Sequence, residues 1–159
     1  MESLNKMTVV VKDNGFGIKN IIINEPKTYN SLSFKTLKML IHTFKRLESD
    51  NKTRVIILSG NGKGFSAGHN LKEVKNLKVR SKYLKLFNLC SKLMLNIVEG
   101  RKPVIAKVHG SAFAAGCQLA ASCDLAYASI DAKFATPGVN IGLFCSTPMV
   151  AVSRKIGKK

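Results

Sequence analysis

Short runs of β-branched residues alternate along this chain with longer segments whose apolar residues recur at helical spacing. Runs at 7–12 and 18–23 predict two strands, joined by a turn at 13–15 whose Asn and Gly tolerate the positive φ of a hairpin. Further strands are predicted at 54–59 and 103–108, and helices at about 34–47 and 81–99. This order predicts an α/β fold in which the loops after the strands lie at one edge of a sheet, where ligands usually bind.

The same periodicity predicts which side chains are buried. Ser31 or Ser33 is expected to cap the first helix. The second helix is expected to bury the apolar residues that share one face, namely Leu84, Phe87, Cys90, Met94 and Ile97. Segment 108–153 has one base, two acids and many small residues, so it is predicted to be the packed heart of the domain.

Charge sets the range of partners. The 159 residues, 45% of them hydrophobic, suffice for one domain, predicted to span 1–159, and argue against disorder. An excess of 26 Lys and Arg over 9 Asp and Glu gives +17, which favours nucleic acid, acidic lipid or a phosphorylated ligand. Nucleic acid is the weakest of these, because the chain has no Trp and few aromatic residues near its basic run.

Several other classes of protein are excluded or disfavoured. No apolar stretch approaches the roughly 20 residues of a membrane span. The four Cys and three His lack the spacing of a zinc site, so we expect no metal, no cofactor and reduced thiols. The first residues resemble neither a signal nor a transit peptide. We therefore expect a cytoplasmic protein, with the mitochondrial matrix as the alternative for a eukaryotic chain that is N-terminally incomplete.

Two loops rich in Gly and Ala carry the candidate chemistry. The first, at 60–71, fits neither the dinucleotide-binding pattern, which needs an acidic residue further on, nor the phosphate-loop pattern. The second, at 109–119, opens a predicted helix. Small residues before a helix let backbone amides approach an anionic ligand closely. Amides from both loops that point at one spot would form an oxyanion hole.

The residues of these loops resemble the crotonase (enoyl-CoA hydratase/isomerase) superfamily. Four segments in the family's order carry the resemblance: 24–32, 65–71, 108–124 and 132–142. The resemblance implies a crotonase-like spiral of β-β-α units that binds acyl-CoA thioesters and stabilises an enolate. It also implies a homotrimer for complete family members. Because this chain stops where the family continues, it is expected to be a fragment lacking the C-terminal helical segment, with its last residues beginning a helix.

By motif position, the resemblance assigns the oxyanion-hole amides to His69 and Ala115. It places the substrate against Ala67, Gly68 and Gly116, and CoA phosphates near Lys27 and the 72–85 basic run. The imidazole of His69 is a further candidate acid or base.

The sequence departs from the family at its two catalytic glutamates, which fall on Gln118 and Gly138. General acid–base catalysis contributes a factor of about 10² to 10⁴, so their absence argues against ordinary hydration. Ser146, and Cys145 beside it, fall where related dehalogenases carry a nucleophile, and Ser146 is a candidate catalytic residue. These features most resemble the branch described as enoyl-CoA hydratase domain-containing protein 3.

Three functions follow from these observations. The first is a fatty-acid-metabolising, enoyl-CoA hydratase/isomerase-like enzyme that acts as a lyase or isomerase through a thioester enolate. The second is an acyl-CoA-binding pseudoenzyme, and the third is a basic nucleic-acid-binding protein.

Overall fold

The computed structural model of the chain describes residues 7–157. The strands of this part are β1 (Val9–Asp13), β2 (Ile18–Ile23), β3 (Val55–Gly60), β4 (Gly64–Ser66), β5 (Val104–Val108), β6 (Ser111–Phe113), β7 (Leu125–Ala128) and β8 (Lys133–Ala135). Its α-helices are α1 (Phe34–Ser49), α2 (Leu71–Lys75), α3 (Arg80–Val98), α4 (Ala115–Ser122) and α5 (Ser146–Lys155). Single 3₁₀ turns occur at Pro26–Thr28 and Pro137–Ile141.

The strands form two sheets. The larger has the order β1-β2-β3-β5-β7, with β1 antiparallel to β2 and every other pair parallel. The smaller, β4-β6-β8, is parallel throughout. Both Gly-rich loops leave the smaller sheet, one after β4 and one after β6, so the smaller sheet sets the loops side by side.

The core lies between one face of the larger sheet and the helices α1 and α3. Strand residues such as Ile21, Ile56 and Leu58 are fully or almost fully buried there, as are Leu37 and Leu93 from the two helices. Burying one such side chain contributes roughly 1.5–3 kcal/mol. No helix within residues 7–157 is long and apolar enough to cross a membrane.

The main predicted elements are confirmed to within two residues. The hairpin, α1, β3, α3 and β5 all form where expected, and the predicted helix of the second loop is α4. Of the two candidate caps, Ser33 is the one whose side chain accepts a hydrogen bond from the Thr36 amide, at 3.1 Å. The helix expected to begin in the last residues lies earlier in the chain, as α5, and ends at Lys155.

The predicted buried face of α3 is partly wrong. Cys90, Met94 and Ile97 are buried, but Leu84 and Phe87 are 49% and 42% exposed, and Leu86 and Leu93 are buried instead. The helix carries apolar residues on two adjacent stripes, and helical spacing alone does not tell which stripe faces the sheet.

The packed heart predicted for 108–153 ends at Cys123. Beyond it, most side chains are exposed, including the large residues Leu125, Tyr127, Phe134 and Phe144. The reason is position, because β7 and β8 are edge strands of their sheets. Small and apolar residues indicate a tendency to be buried, but the described elements do not cover the outer sides of these strands.

A buried asparagine joins two loops near the site. Asn30 is fully buried and has a positive φ of 55°. Its Oδ1 accepts a hydrogen bond from the Glu25 amide at 2.9 Å, and its Nδ2 donates to the carbonyls of Asn61 and Gly64, each at 2.7 Å. One side chain therefore satisfies backbone groups on both sides of the β3–β4 turn.

We expect Asn30→Asp to lower the free energy of unfolding by at least about 3 kcal/mol, because a carboxylate would set an oxygen against the two carbonyls that Nδ2 now serves, one of them buried. Urea denaturation measures the loss. The matched control is Asn51→Asp on the exposed turn after α1, where we expect a change within about 0.5 kcal/mol. Equal stability of the two variants would contradict this role for Asn30.

Candidate active site

The first loop of the site runs from the end of β4 to α2. Its backbone is tied to the segment before α1, because the Ala67 amide donates to the Tyr29 carbonyl at 2.9 Å and the Leu32 amide donates to the Gly68 carbonyl at 2.7 Å. Gly68 has a φ of +85°, which side chains other than glycine rarely adopt.

The second loop turns directly from β6 into α4. Ala114 has a positive φ of 49° and offers no side-chain cap to the helix. Its amide donates to the Ala135 carbonyl of β8 at 2.9 Å. The first amides of α4 therefore point out of the helix without a capping group, and this end of the helix carries positive partial charge.

The two loops meet at Gly68 and Gly116. A Cβ at Gly68 would lie 2.9 Å from the Phe113 carbonyl oxygen and 3.0 Å from the Ala115 nitrogen. A Cβ at Gly116 would collide with the carbonyl group of Ser66. Only the absence of two side chains allows this approach.

The amides of His69 and Ala115 flank this contact. Neither donates a hydrogen bond to an acceptor within residues 7–157. Ala115 is buried and His69 is half-buried, and amides removed from water are almost always paired. Two unpaired amides on adjoining loops therefore indicate a place where a ligand oxygen could accept hydrogen bonds. They are the two amides that the resemblance to the crotonase superfamily assigns to an oxyanion hole.

The side chain of His69 is largely enclosed. Its ring meets that of Phe87 edge to face, with centroids 5.3 Å apart, and its Nδ1 is buried without a hydrogen-bond partner. Burial lowers the pKa of His69 below its usual 6.5, and the polar backbone of Leu32 raises the pKa by a smaller amount. The imidazole is therefore neutral at pH 7.

Gln118 lies on α4, one turn beyond Ala115, and is 6% exposed. Its Oε1 accepts a hydrogen bond from the Thr147 hydroxyl of α5 at 3.1 Å. Both residues line a cavity of about 420 Å³ between α3, α4 and α5, whose other walls include Met94, Val98 and Val150. Most of the cavity wall is apolar, but it also includes the charged residues Asp124, Arg154 and Lys155.

Gly138 is buried, and the space beside it is filled. A Cβ there would lie 2.5 Å from the Leu143 carbonyl oxygen and 2.6 Å from Cys145 Sγ. The segment after the 3₁₀ turn thus occupies the place of a side chain at 138.

The remaining predicted residues are more dispersed. Lys27 is exposed on the 3₁₀ turn before α1. Ser146 is exposed at the start of α5, where its amide donates to the Phe144 carbonyl at 2.9 Å, and it does not line the cavity that Gln118 lines. Burial raises the pKa of the Cys90 and Cys123 thiols to about 12, as expected for inert core thiols.

Sequence reasoning missed two residues of the site. Thr147 holds Gln118 through a contact 29 positions along the chain, and no local pattern signals this contact. Phe87 was predicted to lie in the core, but instead it contacts the ring of His69. Its place at the edge of the buried α3 stripe is the only signal of that position.

Comparisons with known proteins identify the family to which this fold belongs. Residues 13–159 match the family model described as enoyl-CoA hydratase/isomerase. The chain is 49% identical over 143 residues to the human protein "Enoyl-CoA hydratase domain-containing protein 3, mitochondrial", which covers 90% of this chain and 47% of the relative. It is 38% identical over 135 residues to "Enoyl-CoA hydratase, mitochondrial" of Pongo abelii. That match covers 82% of this chain and 43% of the relative. The similarity to the first protein confirms the predicted branch.

Solved structures share the fold. An enoyl-CoA hydratase of Mycobacterium smegmatis superposes with a TM-score of 0.93 at 45% identity, over 96% of this chain and 60% of that one. The human enoyl-CoA hydratase domain-containing protein 3 superposes with a TM-score of 0.88 at 47% identity, over 93% of this chain and 58% of that one.

The chain spans about half the length of the relatives that its sequence matches. With the family model matched from residue 13 onward and the fold shared over nearly all of the chain, the protein belongs to the enoyl-CoA hydratase/isomerase, or crotonase, family.

Proposed function

We propose that this chain binds an acyl-CoA thioester and holds its carbonyl oxygen between the amides of His69 and Ala115, where an enolate is stabilised. The observation that carries the proposal is that both amides lack an acceptor among the described residues, on loops in close contact. Each donor of such a hole typically contributes about 3 kcal/mol of transition-state stabilisation.

The surroundings favour a developing negative charge at this point. Positive partial charge at the start of α4 adds to the Ala115 amide. Gly68 and Gly116 allow the close approach of the two loops that carry the donors. Ala67 lies next to Gly68 in the first loop. Because backbone amides are fixed by the fold, they need no reorganisation when the carbonyl oxygen gains charge.

The acyl chain and the CoA phosphates of the ligand each match a different region of the protein. The apolar cavity between α3, α4 and α5 suits the acyl chain, beginning beside Gln118. Lys27 and the 72–85 basic run supply cations for the phosphates of CoA. The proposed ligand thus accounts for an apolar cavity and a basic surface together.

Ordinary hydration is not part of this proposal. Gln118 cannot take a proton from water, and its oxygen already accepts a hydrogen bond from Thr147. Gly138 offers no functional group, and burial disfavours the protonated imidazole of His69 that would act as a general acid. Ser146 remains a candidate nucleophile, without an identified base. The site therefore favours thioester binding, with weak turnover or none.

The setting of the protein is also a proposal. The relatives named as domain-containing protein 3 carry the word mitochondrial in their names. This favours the mitochondrial alternative over the cytoplasmic location first expected. The homotrimer is a prediction for complete family members.

The binding proposal is tested by calorimetric titration of the chain with acetoacetyl-CoA, which mimics the enolate, at near-physiological salt. We expect binding well above that of free CoA. We expect Gly68→Ala to weaken it at least tenfold, because the added methyl pushes on the Phe113 carbonyl and the Ala115 amide. The control is Gly15→Ala, another glycine of positive φ, with nothing within 4 Å of an added Cβ. Equal affinity of the two folded variants would remove the loop contact from the site.

Hydration is tested separately with crotonyl-CoA, followed by loss of the enoyl absorbance. We expect neither the wild-type chain nor Gln118→Glu to accelerate hydration. One carboxylate cannot replace the pair, and the space for the second side chain, at 138, is filled. Acetoacetyl-CoA binding is the control for an intact pocket. Turnover by either protein with bound substrate would show that a catalytic group is present elsewhere.

Crowding at Gly138 has a stability signature. We expect Gly138→Ala to lower the free energy of unfolding by about 1–3 kcal/mol, because of the contacts with Leu143 and Cys145. Adding Cys145→Ala should recover part of the loss. Gly157→Ala is the control, since an added Cβ there meets nothing within 4 Å. A neutral Gly138→Ala in thermal denaturation would mean that this segment yields easily.

A further inference from the structure

A basic surface covers α2, the following loop and α3 as far as Lys92. Its cations are all exposed: Lys72, Lys75, Lys78, Arg80, Lys82, Lys85 and Lys92. None of them forms an ion pair with an acid in the described part of the chain. The one acid in this stretch is Glu73, whose carboxylate accepts a hydrogen bond from the Phe34 amide at 2.9 Å. The positive charge of this surface is therefore not neutralised from within.

Aliphatic side chains stand among these cations. A shallow groove of about 460 Å³ along α3 is lined by Ser81, Leu84, Lys85, Asn88, Leu89 and Lys92. Leu84 is half exposed, and so is Val79 at the start of the helix. At 100° per residue, Lys85 and Lys92 fall on one side of the exposed face, and Leu84 and Leu95 on the other. We call this surface the α3 groove.

Helix α1 provides the contrast. It also exposes cations, including Lys35, Lys38 and Lys45. None of its large apolar residues is exposed, because its apolar positions all face the core or its edge. The combination of cations with exposed aliphatic side chains thus belongs to α3 and not to the basic character of the chain as a whole.

We propose that the α3 groove docks the protein on an anionic phospholipid bilayer. Lysines near a bilayer are attracted to acidic headgroups, and each adds to the affinity. Leucine side chains between them enter the headgroup boundary, as in helices that lie flat at membrane interfaces. Charge complementarity thus selects an acidic surface, and the exposed aliphatic residues select a lipid one.

The aliphatic residues also separate lipid from nucleic acid. A nucleic acid site would present aromatic side chains on which bases stack, whereas the groove is lined by Leu84 and Leu89 and by no aromatic residue. The phosphates of CoA would need the lysines but not these leucines. The docking surface shares Lys85 with the 72–85 basic run proposed for the CoA phosphates, whereas Leu84 and Lys92 have no part in that site. Leu84→Ser therefore leaves the thioester site intact, and its effect on vesicle binding separates the two proposals.

The test is cosedimentation of the full chain with vesicles of phosphatidylcholine containing about 30% phosphatidylglycerol, at about 0.15 M salt. We expect clear partitioning onto these vesicles and little onto pure phosphatidylcholine. The double variant Lys85→Glu and Lys92→Glu should reduce the partition coefficient at least tenfold. Leu84→Ser should reduce it several-fold without any change of charge.

The matched control is Lys38→Glu with Lys45→Glu, which makes the same change of net charge on α1. We expect it to reduce partitioning less than threefold, with thermal denaturation verifying that every variant folds. Equal losses from the α1 and α3 pairs would overturn the proposal in favour of overall charge. An unchanged Leu84→Ser, or equally tight binding of a DNA duplex that the α3 pair abolishes, would overturn it in favour of a purely electrostatic or nucleic acid site.

Discussion

The contact between the two glycine-containing loops is the constraint on which the site depends. Gly116 leaves just enough room for the Ser66 carbonyl, and Gly68 does the same for Phe113 and the Ala115 amide. A backbone can approach another backbone this closely only where no Cβ intervenes. The amides of His69 and Ala115 are near one another because these two positions are empty, and the acyl-CoA proposal follows from that proximity.

The rest of the fold holds the two loops in register. The β4-β6-β8 sheet places their starting points on neighbouring parallel strands. Asn30 fixes the turn that leads into β4, and α4 fixes the direction of the second loop as it leaves β6. The larger sheet and its helices supply the buried area that keeps this assembly rigid. Donors held in this way remain oriented in the absence of ligand, which is what preorganisation requires.

Local patterns in the sequence were sufficient for most of the fold and for the loops of the site. Strand and helix periodicities are local patterns. The Gly and Ala residues of both loops likewise indicate, from the local sequence, where the backbone can approach another group closely. Contacts between distant segments were not predictable in this way. Neither the Thr147 hydrogen bond to Gln118 nor the filling of space at Gly138 by Cys145 leaves a local trace. The α3 stripe and the exposed segment after Cys123 were mispredicted, because apolarity does not identify the surface that covers a residue.

The packing at Gly138 restricts which side chains this position can hold. The Leu143 carbonyl and Cys145 Sγ occupy the space that a Cβ would need. A carboxylate at 138 would therefore require the segment at 143–145 to change as well. Substitutions at 138 and at 143–145 are thus coupled, and no single substitution at 138 can add a functional group to the site without cost.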